Sequence, residues 1–506
     1  MPMAVLSGLL IFFSFPKYGN GILAWFALIP LLHALQKSKP AEGFKIGFIA
    51  GLTAHVGILY WISYVIVQYG YLPFYTGIFI MLLLAAYLSL YTAFFCMGVA
   101  FLRFRGSPVF LTVPLLWTVL EYVRSHLLTG FPWETLAYSQ YLNKELIQMA
   151  DVVGTYGITF VIVLVNVVLY NTLAARFRGG RSPAAEITVT LALLAVIFLY
   201  GHFRTIQIQD SLKNEPNVEV SLVQGNIDQN IKWDKRFQEE TLDVYRSLSL
   251  QSVPAEGGLI IWPETAAPFY FEHPDPLRAK IMDIAQISGR TLIFGSPRYE
   301  EKNGIKSYMN SAYLLRSDGK IGGRYDKVHL VPYGEYVPLR QLFPFIGKLV
   351  VGVGDFRPGK GFEPLIDQGR RFGVLICYEV IFPDAARAYK QKHADMLVNI
   401  TNDAWFGTTS APYQHLSMAV FRAVENRLYL VRAANTGISA IIDPMGTIRS
   451  GTKLFERTVV RGEVKFIDEK TLYAAYGDWL IYLGGIILII HEWIQKRRRN
   501  HARRNS

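Results

Sequence analysis

The sequence predicts a chain in two parts: a bundle of about eight transmembrane helices and, set into it, a layered α/β domain. Three observations carry this. Of 506 residues, 51% are hydrophobic and 18% charged, below the roughly 25% charge of ordinary soluble proteins, which excludes a disordered or collagen-like chain. The charge is also unevenly spread, with 65 of the 90 charged side chains lying between His202 and Gly477. Within that stretch short β-rich runs alternate with helical ones. The predicted domains are therefore 1–202, holding seven helices, 203–476, the inserted domain, and 477–506, a last helix with a basic tail.

From Ile46 to Leu102 there is no Asp, Glu, Lys or Arg. As one helix this run would extend about 86 Å at ~1.5 Å per residue, nearly three times a ~30 Å hydrocarbon core. It must turn back, and Gly70-Tyr71-Leu72-Pro73 is the expected place. Further spans are expected at 18–36, 109–126, 152–175, 187–202 and 478–494. Met3–Phe15 has no basic segment before it, so we read it as a first membrane helix trimmed at its start rather than a cleaved signal peptide. Alternate connections and the tail hold Lys37, Lys39, Lys45, Arg103, Arg105, Arg176, Arg178, Arg181, Lys496, Arg497, Arg498, Arg499, Arg503 and Arg504; the opposite connections hold only Lys17 and Lys144. That asymmetry assigns the basic side to the cytoplasm and turns the inserted domain outward. The net charge of +12 then reads as an orientation signal rather than a nucleic-acid surface. Glu121 and Arg124, three apart, are expected to pair on one helix face. His33 and His55 are expected to pack rather than bind a ligand.

In the inserted domain, strands are expected at Val218–Val223, Leu259–Trp262, Thr291–Phe294, Ser311–Leu315, Phe372–Ile376, Met396–Ile400, Gly437–Ile442 and Val459–Phe466. Several are continuous apolar runs, as strands buried on both faces require. Helices are expected at Asp275–Ser288 and Tyr413–Leu428, and the alternation argues for an α/β layered fold. There is no phosphate-binding loop. With two cysteines and no CxxC or HExxH, neither a metal nor a cofactor is implied.

The chemistry centres on Cys377. It ends the run Phe372–Ile376, where α/β sheets place reactive groups. An inert buried cysteine is the bland alternative. Glu264 also stands at a strand end, across Pro263, and Lys327 abuts the apolar segment Val328–Pro332. A thiol, a carboxylate and an amine at separate strand ends make a nucleophile, a base and an oxyanion support. The carboxylate takes the thiol proton, because thiolate is the nucleophile. The ammonium stabilises the thiolate and then the tetrahedral oxyanion, assisted by the backbone N–H after the cysteine. His415 lies inside a helical stretch without a Cys–His protease signature, so it is read as structural.

Trp262-Pro263-Glu264, the segment around Lys327 and Cys377-Tyr378-Glu379 resemble the Glu–Lys–Cys pattern of the nitrilase superfamily. With helices on both sides the whole chain resembles the apolipoprotein N-acyltransferase family. Further matching segments are Gln224-Gly225-Asn226 with Trp233-Asp234, His329–Pro338, Asn402–Gly407 and Thr129-Gly130-Phe131-Pro132-Trp133. The resemblance implies an αββα sandwich on the periplasmic side of a bacterial inner membrane. It implies transfer of a fatty acyl chain from a phospholipid, typically phosphatidylethanolamine, to the α-amino group of a diacylglyceryl-cysteine on an apolipoprotein. It further implies roles for Glu335, Tyr378 and Glu379; Glu335, eight residues after Lys327, is expected to orient its amine. Trp233 is expected to line the lipid entrance, and Asn402, Asp403 and Trp405 to shape the pocket. The apolar, glycine-interrupted run Gln341–Gly354 reads as an entrance loop, with Phe343, Phe345, Ile346 and Leu349 dipping into the outer leaflet. The protein is expected to act as a monomer. Two rivals remain at this level. A membrane-anchored amidase would need only one anchoring helix, and a transporter would want more charge in its bundle.

Overall fold

The computed structural model describes residues 1–104, 109–178, 182–251, 258–338 and 355–504. The expected entrance run Gln341–Gly354, with Phe343 and Phe345, lies outside them. The chain groups into two compact units. One comprises Met1–Tyr60, Ile78–Arg204 and Tyr476–Ser506, the other Trp61–Gly77 and Thr205–Ala475.

Among the described residues four helices are long and apolar enough to cross a membrane: Pro40–Leu59, Phe74–Arg103, Ala150–Phe177 and Ala184–Lys213. Pro2–Phe12, Gly21–Ala34 and Trp479–Gln495 are apolar but shorter. Four helices of membrane-crossing length thus stand where about eight spans are expected, and the other apolar runs are shorter or interrupted for local reasons. The charge-free run breaks twice, at Tyr60 and at Tyr71–Pro73, so that a separate helix, Trp61–Gly70, stands between the long ones. The 18–36 run divides into a 3₁₀ turn, Gly21–Trp25, and a short helix, Ile29–Ala34. Val109–His126 carries Pro114 in its interior and buries both Glu121 and Arg124. The helix expected at 187–202 runs on to Lys213.

Glu121 and Arg124, expected to pair with each other, take separate partners. Glu121 accepts from the Leu136 backbone N–H at 2.9 Å. Arg124 reaches His55 Nε2 at 3.3 Å and the Trp133 carbonyl at 3.5 Å. These bonds tie down the Phe131–Leu136 segment, which makes no helical ladder of its own and must satisfy its polar groups elsewhere. His55 is buried as expected, but His33 is exposed.

The second unit contains twelve strands among its described residues: β1 (Val218–Gln224), β2 (Leu259–Ile261), β3 (Thr291–Lys302), β4 (Ile305–Leu315), β5 (Ile321–Asp326), β6 (Leu365–Asp367), β7 (Arg370–Ile376), β8 (Met396–Thr401), β9 (Tyr429–Ala434), β10 (Ala440–Ile442), β11 (Ile448–Gly451) and β12 (Thr458–Val464). They form two six-stranded sheets, ordered β12-β1-β2-β3-β4-β5 and β11-β10-β9-β8-β7-β6. Parallel pairing is confined to the centres, β1–β2–β3 and β7–β8–β9. Those central strands, β9 excepted, coincide with strands expected from the sequence, and β8 and β9 are buried at every position. Each sheet carries one pair of helices, Lys235–Leu250 with Pro276–Ser288 and Pro383–Gln391 with Ala411–Asn426. The sheets pack face to face through β1 against β9 and β5 against β6. The layers therefore run αββα. Between the first sheet and its helices lies a core that includes Trp262, Tyr245, Phe294 and Phe271. Burying such aromatic side chains dominates its stability, at about 25 cal/mol per Å² of apolar surface.

Candidate active site

The strand ends bring Glu264, Lys327 and Cys377 together. Glu264 follows β2, Lys327 follows β5, and Cys377 follows β7 in the other sheet. All three are buried, with 6%, 1% and 8% of their surface exposed. Cys377 opens a 3₁₀ turn, Cys377–Ile381, with φ of +52°. A non-glycine residue holds that conformation only where its surroundings impose it. Two groups do so here. His415 Nε2 donates to the Cys377 carbonyl at 3.2 Å, and Glu379 Oε2 accepts from the Ile376 N–H at 2.7 Å.

Lys327 Nζ lies 2.9 Å from Glu335 Oε2 and 3.8 Å from Glu264 Oε1. Burial opposes its charge, but Glu335 and then Glu264 outweigh that, so its pKa stands above the ordinary lysine value and the amine is an ammonium. Glu335 is further held by the Val331 N–H at 2.8 Å. The expected pairing of Glu335 with Lys327 is thus present as geometry. Asn310 Nδ2, from β4, donates to Glu264 at 2.7 Å and to Glu335 at 3.0 Å. The second oxygen of Glu264 accepts from the Asn402 N–H at 3.0 Å. Gly295 permits this arrangement, because a Cβ there would fall 2.7 Å from the Glu264 Cα. The Cys377 thiol is pushed up first by burial and then by Glu264, against the pull of Lys327. It therefore rests as a neutral thiol, beside a carboxylate able to take its proton.

Glu379 accepts from Tyr325 Oη and from the N–H groups of Val328 and His329, at 2.8, 2.7 and 3.0 Å. It joins the Cys377 turn to the Lys327 segment. Burial raises its pKa to about 7 against those hydrogen bonds. Tyr378 packs on Phe382 and His329. Asn402 bonds Gln229 and Asn435 as well as Glu264. Asp403, which adds to the upward push on the thiol, pairs with Arg432 at 2.6 Å, and burial is outweighed by that guanidinium, so its pKa falls below the carboxylate range. Trp233 is 37% exposed. Trp405 meets the Tyr69 ring edge-on at 4.9 Å, Phe406 meets Trp61 at 5.0 Å, and Tyr69 Oη donates to the Ala404 carbonyl at 2.7 Å.

Sequence reasoning missed Asn310, Lys232, Gln229 and the aromatic face of Trp61–Gly70. The last was hidden inside a run that reads as uniformly membrane-spanning. Lys232 adjoined a segment singled out, Trp233-Asp234, and its position next to that segment was the only signal for it. Among the described residues no cluster of His, Cys, Asp and Glu suits a metal ion.

An αββα fold whose cysteine, glutamate and lysine meet at strand ends has the make-up of the nitrilase class of enzymes. Residues 219–470 match the family described as Carbon-nitrogen hydrolase, and residues 7–168 match the Apolipoprotein N-acyltransferase N-terminal domain. The chain is 46% identical to an apolipoprotein N-acyltransferase of Geobacter metallireducens, over 96% of this chain and 94% of the other. It is 30% identical to one of Pasteurella multocida, with the same two coverages, and 31% identical to one of Rickettsia prowazekii, covering 97% of each. The chain belongs to the apolipoprotein N-acyltransferase family. It is an acyltransferase with a carbon–nitrogen hydrolase domain, and its long apolar helices are those of a membrane protein.

Proposed function

We infer that the acyl chain passes from a phospholipid, phosphatidylethanolamine in the first place, through a thioester on Cys377 to the α-amino group of a diacylglyceryl-cysteine at an apolipoprotein amino terminus. Cys377 Sγ attacks the donor ester carbonyl while Glu264 takes the thiol proton. Lys327 supports the oxyanion. Collapse breaks the ester C–O bond, and Glu264 returns the proton to the lysophospholipid oxygen. The acceptor enters as an ammonium and loses one proton to Glu264. Its nitrogen then attacks the thioester, the C–S bond breaks, the second nitrogen proton goes to sulfur, and Glu264 releases the first to solvent before the next turnover. Splitting the transfer lets one lipid leave before the next arrives.

The observation that carries this reading is the buried contact of Lys327 with both Glu264 and Glu335, at a thiol held in a strained turn. Glu335, Tyr378 and Glu379 support the site, Asn402, Asp403 and Trp405 shape it, and Trp233, Phe343 and Phe345 admit lipid. In this reading eight helices span the inner membrane as a monomer, the domain boundaries fall near 202 and 477, and the catalytic domain faces the periplasm.

Mass spectrometry of the purified chain from phosphatidylethanolamine vesicles tests the reading. An acyl adduct at Cys377 is expected, absent from folded Cys377→Ala and from Glu264→Gln. Transfer retained by Cys377→Ala would end the thioester mechanism. In the same vesicles a Phe343→Ser, Phe345→Ser double variant should acylate far more slowly than with a short soluble thioester. Equal losses with both donors would mark those rings as core.

A further inference from the structure

The charges at the acyl centre do not balance through the triad alone. Glu264 and Glu335 bring two carboxylates, and among the described residues Lys327 is the one ammonium in ion-pair contact with them. Moving a proton from Cys377 to Glu264 leaves that count at one excess negative charge, now with an anion on sulfur in a buried site. Uncompensated buried charge is costly, by several kcal/mol per ion in proteins. Asp403 does not alter the sum, because it is matched by Arg432.

Lys232 supplies the missing charge. It sits in the turn before Trp233 and is fully buried, at 0% exposed. Its Nζ donates to the Glu264 backbone carbonyl at 3.1 Å. Among the described residues it has that single hydrogen-bond partner and no carboxylate in ion-pair contact, so two of its three N–H donors stay open. The turn is tied to the site a second time, because Gln229 accepts from Asn402, whose N–H holds the Glu264 carboxylate. The titratable groups facing the ammonium are Glu264, from the loop after β2, and Cys377, from the end of β7. The acidic groups of its own segment are engaged elsewhere, Asp228 with Asn230 and Asp234 with Arg236.

We propose that Lys232 is a second cation of the acyl centre, whose open N–H donors support the negative charge that forms at Cys377 and on the donor carbonyl during acylation. The inference rests on the thioester reading above. Lys327 is ion-paired with Glu335 at 2.9 Å and lies 3.8 Å from Glu264, whereas Lys232 has no carboxylate in ion-pair contact among the described residues and has donors to give to a transient anion. A lipid phosphodiester is the other anion at hand, but a fully buried amine beside the Glu264 backbone suits the reacting atoms better than a bulky headgroup.

Burial lowers the pKa of Lys232 to about 8, against the opposing pull of Glu264 and Cys377. Its positive charge is therefore present at neutral pH and lost as pH rises through about 8. Stability runs the other way: the unfolded chain holds this proton longer, so folding gains as pH rises from about 8 towards the ordinary lysine range. A structural lysine and a catalytic one are thus separable.

The test uses the full chain in phosphatidylethanolamine vesicles, following the Cys377 adduct with time between about pH 6 and 9. Acylation by Lys232→Met should fall about 100-fold, the usual effect of losing one donor to an oxyanion, with thermal stability unchanged or raised. Wild-type acylation should decline above about pH 8, the reverse of what thiol ionisation alone produces. Lys232→Arg, which keeps its charge, should lose that decline. A Lys232→Met protein that acylates within about threefold of wild type would overturn the proposal and leave the thioester reading standing. Should that variant not fold, a wild-type rate that stays flat or rises from about pH 8 to 9 overturns it equally. Absence of any wild-type adduct would remove both readings together.

Discussion

Burying a carboxylate costs several kcal/mol unless donors surround it, and Glu379 is surrounded by four: the Tyr325 hydroxyl and the N–H groups of Val328, His329 and Ile376. Removing the acceptor orphans all of them at once. Glu379→Ala should therefore destabilise the chain by about 4 kcal/mol, measured by thermal unfolding in detergent. Glu379→Gln should cost less, since one oxygen can still accept while the amide nitrogen opposes the Ile376 N–H. Glu264 and Cys377 were legible because each closes an apolar strand, one across a proline. Asn310 was not, because an asparagine within a strand has no local signature. Only the pairing of β4 with β3 and β5 carries its amide to both Glu264 and Glu335. Lys232 looked like any lysine on a polar turn. Its burial follows from where that turn packs.

At the scale of elements, the helix Trp61–Gly70 and the Asp403–Phe406 turn depend on a glycine. Gly407 has φ of +55°, and a Cβ there would meet the Tyr64 ring at 2.6 Å. Gly407→Ala combines backbone strain of about 1–3 kcal/mol with displacement of that ring. It should lower the melting temperature and slow acylation, because Asn402, five residues earlier, holds Glu264. An unchanged acylation rate would show that the two segments are uncoupled. The expected helix Tyr413–Leu428 is present as Ala411–Asn426, and the expected Asp275–Ser288 as Pro276–Ser288 capped by Asp275. Strand β9 escaped notice because only two residues separate it from the helix before it, without glycine or proline. Arg427 makes that turn itself, at φ of +50°. Edge strands β5, β6 and β11 were equally hidden, since their half-exposed patterns lack a continuous apolar run.

For the whole molecule the prediction concerns which side of the membrane each part faces. The excess of Lys and Arg on alternate connections and in the tail predicts that a reporter fused near Arg204 or Lys470 reports the periplasm, and one after Ser506 the cytoplasm. Opposite results at these positions would reverse the orientation and remove access to outward-facing apolipoproteins.

Charge distribution and apolar periodicity by themselves determined that this chain joins membrane helices to an α/β domain, and strand-end chemistry picked out Cys377, Glu264 and Lys327. Those are local properties, written in runs of neighbouring residues. Tertiary structure decided what local pattern cannot express. It broke the long apolar runs into shorter helices, placed Trp61–Gly70 with the catalytic unit, and buried Lys232 against the Glu264 backbone. The physical reason is the same in each case. Desolvation and hydrogen bonding depend on which distant segments close over a residue, and two sheets pressed face to face bring together side chains more than a hundred positions apart.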